Sequence, residues 1–178
     1  MRSIRDHLID RHMDLGLHKA WISESERLAV FPLWNLSGQM VGYQQYRPDA
    51  GKEKRNHPKD GRYFTYNPKN VATAVWGLES WYLSDELYIC EGIFDACRMT
   101  AIGSSAIATM SNNPKHLRSW FSALSRPIVA ICDPDNAGRQ LAKYGDVAYI
   151  MPEGSDLGDA DEMTPYQIKK TVYDSFEM

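Results

Sequence analysis

The chain has 178 residues, of which 43% are hydrophobic and 24% are charged, and its formal net charge is −3. This length suits one domain or one domain with a small appendage, the composition excludes a wholly disordered chain, and the negative charge excludes a protein that binds nucleic acid over its whole surface. Because no apolar run approaches the roughly 20 residues of a membrane span and no secretory signal follows the N-terminus, we expect a soluble, cytoplasmic protein with no membrane partner.

The first half of the chain has patterns typical of a short helix followed by antiparallel strands. Apolar residues at helical spacing predict an amphipathic helix over 3–13. Residues 27–34 and 39–46 are rich in aliphatic and aromatic side chains and enclose an Asn-Leu-Ser-Gly turn, which predicts a β-hairpin. Residues 48–62 predict a loop, and residues 63–66 predict one more short strand.

The second half alternates strand-like and helical segments. The predicted strands are short apolar runs, at 87–90, 104–110, 127–132 and 147–151. The predicted helices lie between them, near 94–101, 114–124 and 137–144. Since this alternation is typical of a parallel sheet, the sequence predicts an α/β fold with a β-rich N-terminal subdomain over 1–83 and a compact α/β domain over 84–178.

The charge is distributed unevenly along the chain. Residues 47–69 contain seven basic residues against three acidic ones, whereas residues 146–178 contain eight acidic residues against two lysines. The basic segment supplies the candidates for contacts with nucleic-acid or nucleotide phosphates, namely Arg47, Lys54, Arg55, Lys59 and Arg62. The alternative is an ordinary solvated loop. The nearby tyrosines are candidates either for base stacking or for the core of the hairpin: Tyr43, Tyr46, Tyr63 and Tyr66.

Three acidic groups follow three of the predicted strands. Glu91 follows the first, Asp133 and Asp135 follow the third, and a group containing Asp156 and Asp159 lies beyond the fourth. Because the carboxyl ends of parallel strands meet at one edge of a sheet, we expect these side chains to converge. Clustered carboxylates repel one another without a cation, and oxygen ligands suit one or two Mg²⁺ or Mn²⁺ ions. The alternative is that the acids cap helices or lie in solvated turns, as Asp135 would if it capped the next helix.

These motifs resemble those of the Toprim domain. The segment Glu-Gly-Ile-Phe-Asp-Ala at 91–96 is similar to its Glu-Gly-x-x-Asp motif, and Asp-Pro-Asp-Asn-Ala-Gly at 133–138 is similar to its Asp-x-Asp motif. The segment 155–159 resembles the third, acidic motif, with Ser155 where the family has lysine. Which acid of this group is the third ligand stays open among Asp156, Asp159, Asp161 and Glu162. The resemblance implies a Toprim fold, a central and mostly parallel sheet with flanking helices.

The N-terminal half resembles the segment that precedes Toprim in bacterial-type primases. The hairpin at 27–46, the segment Glu-Lys-Arg-Asn-His-Pro at 53–58 and Trp-Gly-Leu at 76–78 occur in the same order as their primase counterparts. The three cysteines contain no Cys-x-x-Cys pair and the chain contains no phosphate-binding Gly-x-x-x-x-Gly-Lys loop, so we expect no zinc, no zinc-binding domain and no helicase domain. Such a stripped core is of the kind that a phage or mobile element could encode.

The resemblance implies an enzyme, a metal-dependent nucleotidyltransferase that makes RNA primers. It implies nucleoside triphosphates and a single-stranded DNA template as substrates, and a replicative helicase as a possible partner. Two alternatives stay open: a Toprim nuclease that cleaves DNA phosphodiesters, and a non-catalytic module that binds DNA or a replisome protein. A topoisomerase is disfavoured because it needs a separate tyrosine-bearing domain.

The resemblance also assigns roles to single residues. Glu91 is implied to be a metal ligand or the base for a 3′-hydroxyl, and Asp133 and Asp135 to be catalytic metal ligands. The third motif adds Asp156 and Asp159 as candidate ligands. The supporting residues around this site are expected to be Gly92, Asp95 and Gly138.

Overall fold

The computed structural model describes residues 2–51, 57–67 and 74–176, and within them the chain forms two four-stranded sheets. The first sheet is antiparallel in the order β1-β2-β3-β4, with bounds Trp21–Ser23, Leu28–Trp34, Met40–Tyr46 and Tyr63–Tyr66. The predicted hairpin is β2 with β3, and the predicted strand over 63–66 is β4. Strand β1 was not predicted, since three residues are too few to show an alternating pattern.

The second sheet is parallel throughout and has the order β6-β5-β7-β8. Its strands are β5 (Leu87–Cys90), β6 (Ser105–Ala108), β7 (Ile128–Cys132) and β8 (Val147–Ile150). Every residue of β5, β6 and β7 is buried, because helices cover both faces of the sheet. The predicted fold class, a parallel α/β sheet preceded by a small antiparallel subdomain, is therefore confirmed.

Within the described residues, four α-helices accompany the sheets: α1 (Ile4–Asp10), α2 (Ile93–Thr100), α3 (Arg118–Ala123) and α4 (Thr164–Phe176). Short 3₁₀ helices occur at Pro58–Asp60, Leu78–Ser80, Lys115–Leu117, Gly138–Tyr144 and Leu157–Asp159. The helix predicted at 137–144 is thus of the 3₁₀ type. In the part of the chain that the structure describes, no helix is long and apolar enough to cross a membrane.

Helices α1 and α4 each begin at a side-chain cap. Ser3 Oγ accepts a hydrogen bond from the Asp6 amide at 3.0 Å at the start of α1. Asp161 Oδ1 accepts from the amides of Met163 and Thr164 at 3.0 and 2.9 Å at the start of α4. Helix α4 was not predicted, because its buried stripe of Pro165, Ile168 and Val172 is narrow among polar neighbours.

The two sheets share one hydrophobic core. The Phe94 ring of α2 lies 6.1 Å from the Phe31 ring of β2 and 4.9 Å from the Tyr46 ring of β3. Trp76 pairs with Ala108 of β6, and the residue before it pairs with Trp34 of β2. The segment that precedes the parallel sheet therefore connects the two sheets. The strands of the antiparallel sheet precede residue 83 in the sequence, and those of the parallel sheet follow it. Residues of both parts pack in one hydrophobic cluster, so the division into two domains stays a prediction.

A polar contact between His18 and Glu79 predicts that the stability of the fold depends on pH. His18 lies 4.2 Å from the Trp76 ring and its Nδ1 is 3.6 Å from Glu79 Oε2, while Trp34 Nε1 donates to Glu79 Oε1 at 3.1 Å. Burial raises the pKa of Glu79, but its contacts with His18, a backbone amide and Trp34 outweigh burial and hold that pKa below the usual 4.5. A lowered pKa means that the charged carboxylate stabilises the fold at neutral pH and that this contribution is lost in acid.

We therefore expect Glu79→Gln to lower the free energy of unfolding by about 1–2 kcal/mol at pH 7, the order of a hydrogen bond to a charged group. The difference from wild type should vanish as the pH falls below the usual pKa of 4.5 and through the lowered pKa of Glu79. Urea denaturation at a series of pH values measures it, with Glu153→Gln at an exposed residue as the control. A difference that stays constant with pH would show that the charge of Glu79 contributes nothing.

Candidate active site

A cleft of about 280 Å³ opens where the antiparallel sheet faces the carboxyl edge of the parallel sheet. Four carboxylates line it, from separate segments of the chain: Glu91, Asp95, Asp133 and Asp156. Gln44 of β3 with Tyr63 and Thr65 of β4 form the opposite wall, and Arg11 and Met110 complete it. The structure thus brings together one acid from each of the three predicted groups, together with Asp95.

Strand geometry explains this convergence. Glu91 directly follows β5 and Asp133 directly follows β7, and these two strands are neighbours in the sheet. Asp156 follows β8 after a short loop and begins the 3₁₀ turn at Leu157–Asp159, where its side chain accepts from the Gly158 amide at 2.8 Å. The side chains meet because parallel strands deliver their carboxyl ends to one edge.

The carboxylates of the cleft destabilise one another's charge. Burial raises the pKa of Glu91, and the charges of Asp133 and Asp135 raise it further. Burial also raises the pKa of Asp133, with added repulsion from Asp156 and Asp135. The pKa of Asp95 is raised well above its usual range by burial, then by Asp156 and Asp133. The cleft therefore favours any ligand that brings positive charge.

Asp95 connects two of the acidic segments. Its Oδ2 accepts from the Gly92 amide at 3.1 Å, and its Oδ1 accepts from the Gly158 amide at 2.9 Å. The first bond satisfies a free amide at the start of α2, and the second holds the loop that carries Asp156. Asp95 thus ties the segment that follows Glu91 to the loop that carries Asp156, while its supporting role in the site stays a prediction.

Asp135 lies beside the cleft and caps the following helix. Its Oδ1 accepts from the Gly138 amide at 2.6 Å, the capping arrangement that the sequence left open as an alternative. Its charge nevertheless raises the pKa of both Glu91 and Asp133, so it contributes to the negative field of the cleft.

The remaining acids of the third group face other partners. Asp159 forms an ion pair with Arg11, with 2.6 Å between Oδ1 and Nη1. Asp161 caps α4, and both Asp161 and Glu162 are exposed. Of the four acids among which the sequence could not choose, Asp156 is the one that lines the cleft.

Arg11 is the charged residue of the cleft that the sequence did not single out. It follows α1 directly, and its guanidinium lies 4.3 Å from the centre of the Phe94 ring. A lone arginine at a helix end carries no motif, and only the packing of α1 on the core brings it to the acids. It places a positive group at one wall of an otherwise negative cleft.

The predicted basic residues divide between structural contacts and exposed positions. Arg47 donates to the carbonyls of Glu26 at 3.1 Å and Lys59 at 3.4 Å, and Arg62 Nε donates to the Ala50 carbonyl at 2.9 Å. Lys59 is exposed, with its Nζ 5.7 Å from the Phe64 ring. Lys54 and Arg55 lie outside the described residues, so their assignment stays a prediction.

Of the four candidate tyrosines only Tyr46 is buried, whereas Tyr43 is half-buried and Tyr63 and Tyr66 are exposed. Tyr46 is buried and stacks on Tyr63 at 5.2 Å, and Tyr43 stacks on Tyr66 at 5.4 Å. Tyr63 also lines the cleft and keeps part of its surface exposed, so it is the one of the four that could meet a bound base there. The three cysteines are buried free thiols.

The donor chemistry of the cleft fits a hard divalent cation. Within residues 2–51, 57–67 and 74–176, no three His, Cys, Asp or Glu side chains are arranged as a group that could hold a metal ion as they stand. The carboxylate oxygens of Glu91, Asp133 and Asp156 are nevertheless the ligand type that Mg²⁺ and Mn²⁺ prefer, and their mutual repulsion is what a cation relieves.

Gly138 keeps Asp133 in place, which gives a testable prediction. A Cβ at position 138 would lie 2.5 Å from Asp133 Cβ and 2.8 Å from its carbonyl oxygen, so the backbone would have to move. We expect Gly138→Ala to cost about 1–3 kcal/mol of stability, as overpacking usually does, and to displace Asp133 from the cleft. Thermal unfolding measures the loss. Gly16→Ala is the control, since its Cβ would lie 3.1 Å from the Asp14 carboxylate, a side chain that can move, and not against the backbone. Wild-type stability in Gly138→Ala would contradict this role.

Solved structures of DNA primases share the fold. The zinc-binding and RNA polymerase domains of Aquifex aeolicus primase match with a TM-score of 0.60 and 18% identity, over 86% of this chain and 42% of that one. The E. coli primase catalytic core matches with a TM-score of 0.58 and 17% identity, over 93% and 59%. The DnaG primase catalytic domain bound to single-stranded DNA matches with a TM-score of 0.56 and 17% identity, over 93% and 60%.

The similarity lies in the fold. No protein-family model matches the sequence, and no curated protein matches it significantly. The chain spans between 42% and 60% of the length of these three primase structures. The described residues therefore have the fold of a DNA primase catalytic core, with a parallel α/β sheet and a separate antiparallel sheet.

Proposed function

We propose that this chain is a metal-dependent nucleotidyltransferase of the primase type, which joins ribonucleotides on a single-stranded DNA template. One observation carries the proposal: acids from three separate segments, Glu91, Asp133 and Asp156, line one cleft at the carboxyl edge of a sheet whose fold is that of primase cores. Capping or solvation explains each acid singly. It does not explain why the half-buried carboxylates of Glu91 and Asp133 and the exposed carboxylate of Asp156 face one cavity despite their repulsion.

In this proposal the acids would hold one or two Mg²⁺ or Mn²⁺ ions: Asp133 and Asp156 line the cleft, Asp135 lies beside it, and Asp159 could join if its ion pair with Arg11 opened. Bound there, such ions neutralise the triphosphate and lower the pKa of a hydroxyl. In this proposal Glu91 accepts the proton of the primer 3′-hydroxyl as that oxygen attacks the α-phosphorus of the incoming nucleoside triphosphate, while the bond from the α-phosphorus to the β-phosphate oxygen breaks and pyrophosphate leaves.

Arg11 supplies the opposite charge in the cleft. Its guanidinium is bound to Asp159 and lies against Phe94, so it is held in place before any ligand arrives. A guanidinium binds phosphate oxygens through two parallel hydrogen bonds, and we assign Arg11 to the phosphates of the incoming nucleotide. Lys59 with Lys54 and Arg55 stay the proposed contacts for template phosphates in the basic segment.

The proposed substrates are single-stranded DNA and nucleoside triphosphates, and a replicative helicase is the proposed partner. A DnaG catalytic domain of the same fold has been solved bound to single-stranded DNA. The same carboxylates and ions could instead cleave a phosphodiester, so a nuclease is the competing activity that an experiment must separate from synthesis.

One incubation separates the possibilities. The protein is mixed with single-stranded DNA, labelled ribonucleotides and Mg²⁺ or Mn²⁺, and in parallel with a supercoiled plasmid and the same ions. We expect labelled oligomers and an intact plasmid. Nicked plasmid without oligomers would show a nuclease instead of the proposed activity. If neither product forms, the remaining interpretation is a non-catalytic binding module.

A further inference from the structure

A second positively charged surface lies outside the predicted basic segment, on the α/β half of the molecule. A depression of about 450 Å³ lies between the segment that precedes and includes α3 and the 3₁₀ helix at Gly138–Tyr144. We call it the basic depression and define it by its lining residues, Asn113, Lys115, Arg118, Gln140, Lys143 and Tyr144. Three of these six residues are cationic, and all three cations are exposed.

The three cations are free to bind an anion. Among the described residues, none of Lys115, Arg118 and Lys143 forms an ion pair with a carboxylate. Asp146 lines the adjoining cavity with Arg118 and Lys143, but its carboxylate accepts a hydrogen bond from the Ile128 amide at 2.8 Å. In a chain with a net charge of −3, three unpaired cations around one concavity attract anions against the overall field.

The floor of the depression is rigid. Tyr144 is buried, and its hydroxyl donates to Asn113 Oδ1, which ties the loop after β6 to the 3₁₀ helix after β7. The Arg118 guanidinium lies 5.7 Å from the Tyr144 ring centre, and Lys143 Nζ donates to Gln140 Oε1. Two of the three cations are therefore placed by neighbours in the protein, and neither contact removes their charge.

The depression adjoins the acidic cleft. Met110 lines the cleft and Asn113 lines the depression, so two residues of one loop lie between these two lining residues. The three steps along the chain from Met110 to Asn113 span at most about 10 Å, and successive phosphates of one strand in a duplex are spaced by about 3.4 Å along the axis. A strand whose reacting end lies in the cleft therefore reaches the depression within a few nucleotides.

We propose that the basic depression binds the phosphate backbone of the nucleic-acid strand whose end is in the cleft, through Lys115, Arg118 and Lys143. The position of that strand end rests on the proposed function, whereas the binding itself can be measured without any reaction. The cations are point charges and a guanidinium on an open surface, so contacts of this kind position a strand without reading its sequence.

The test is the salt dependence of binding to a fluorescent oligo(dT). Each phosphate contact on single strands contributes a slope of roughly −0.7 in log affinity against log salt, so Arg118→Ala/Lys143→Ala should bind more weakly with a slope shallower by about 1.4. Between about 50 and about 200 mM salt, the affinity gap between wild type and this variant should then shrink by about sevenfold. The matched control is Arg5→Ala/Lys170→Ala, which removes one arginine and one lysine at exposed positions elsewhere.

The proposal is overturned if the Arg118/Lys143 variant keeps the wild-type slope, if the control variant changes it equally, or if the wild-type protein does not bind oligo(dT). An unchanged thermal shift with Mg²⁺ in the variant shows that its cleft is intact. If only the proposed function fails, the result is different. The Arg118/Lys143 variant then still shows the shallower dependence of affinity on salt, but the wild-type protein incorporates no nucleotide. Incorporation by wild type together with an unaltered slope in the variant would overturn this proposal alone.

Discussion

Replacing Glu91 with glutamine is expected to lower ribonucleotide incorporation by about 10²- to 10⁴-fold, the usual contribution of a catalytic base. Glutamine keeps the length and shape of the side chain but accepts no proton and ligates cations weakly. Glu91 stands at the end of β5 in the cleft, and burial and two neighbouring aspartates raise its pKa. The measurement is the initial rate of labelled-nucleotide incorporation at saturating template.

The same variant must remain folded and keep its affinity for single-stranded DNA, since no cation of the basic depression is altered. Glu86→Gln is the matched control, at a partly exposed residue near the opposite end of β5. Near-normal turnover in Glu91→Gln would remove Glu91 from the reaction, and an equal loss in Glu86→Gln would show that the assay reports general damage.

Asp133→Asn is expected to abolish most of the stabilisation that Mg²⁺ or Mn²⁺ gives to the wild-type protein. A cation at a hundred times its dissociation constant stabilises the folded state by about 2.7 kcal/mol. For a chain of this size that corresponds to a rise in melting temperature of roughly 5–10 °C. Asp133 repels Asp95 and Glu91, so its neutralisation should leave the metal-free protein at least as stable as wild type. Thermal unfolding with and without the ion measures both effects.

Asp161→Asn makes the same chemical change outside the cleft and is the control. Asparagine can keep the capping bonds that Asp161 makes to the amides at the start of α4, so this variant should show the full metal-induced rise. Equal rises in wild type and Asp133→Asn would show that any bound cation lies elsewhere.

The strands and the convergence of acids could be predicted from local patterns. The predicted strands over 63–66 and 87–90 coincide with β4 and β5, because short apolar runs bounded by turn residues have few alternatives. Placing Glu91 near Asp133 required only the rule that parallel strands present their carboxyl ends at one edge. Both inferences depend on sequence-local information plus one rule of topology.

The parts that were missed depend on contacts between distant segments. Arg11 enters the cleft because α1 packs on the shared core, and the bond from Gly158 to Asp95 joins residues 63 positions apart. The choice of Asp156 over Asp159 depends on the ion pair with Arg11, which no pattern within the acidic loop contains. Helix α4 was missed for a different reason, since three buried residues in thirteen are a weak amphipathic signal.

Templated synthesis is the most direct measurement of what this cleft does. The protein is incubated with Mg²⁺ or Mn²⁺, labelled ATP and either oligo(dT) or oligo(dA) as the single-stranded template, with the Glu91→Gln variant in parallel. The proposed function predicts labelled oligo(A) with oligo(dT) only, and none with the variant. Labelled product on both templates, equal product from Glu91→Gln, or no product with either ion would contradict a template-directed nucleotidyltransferase.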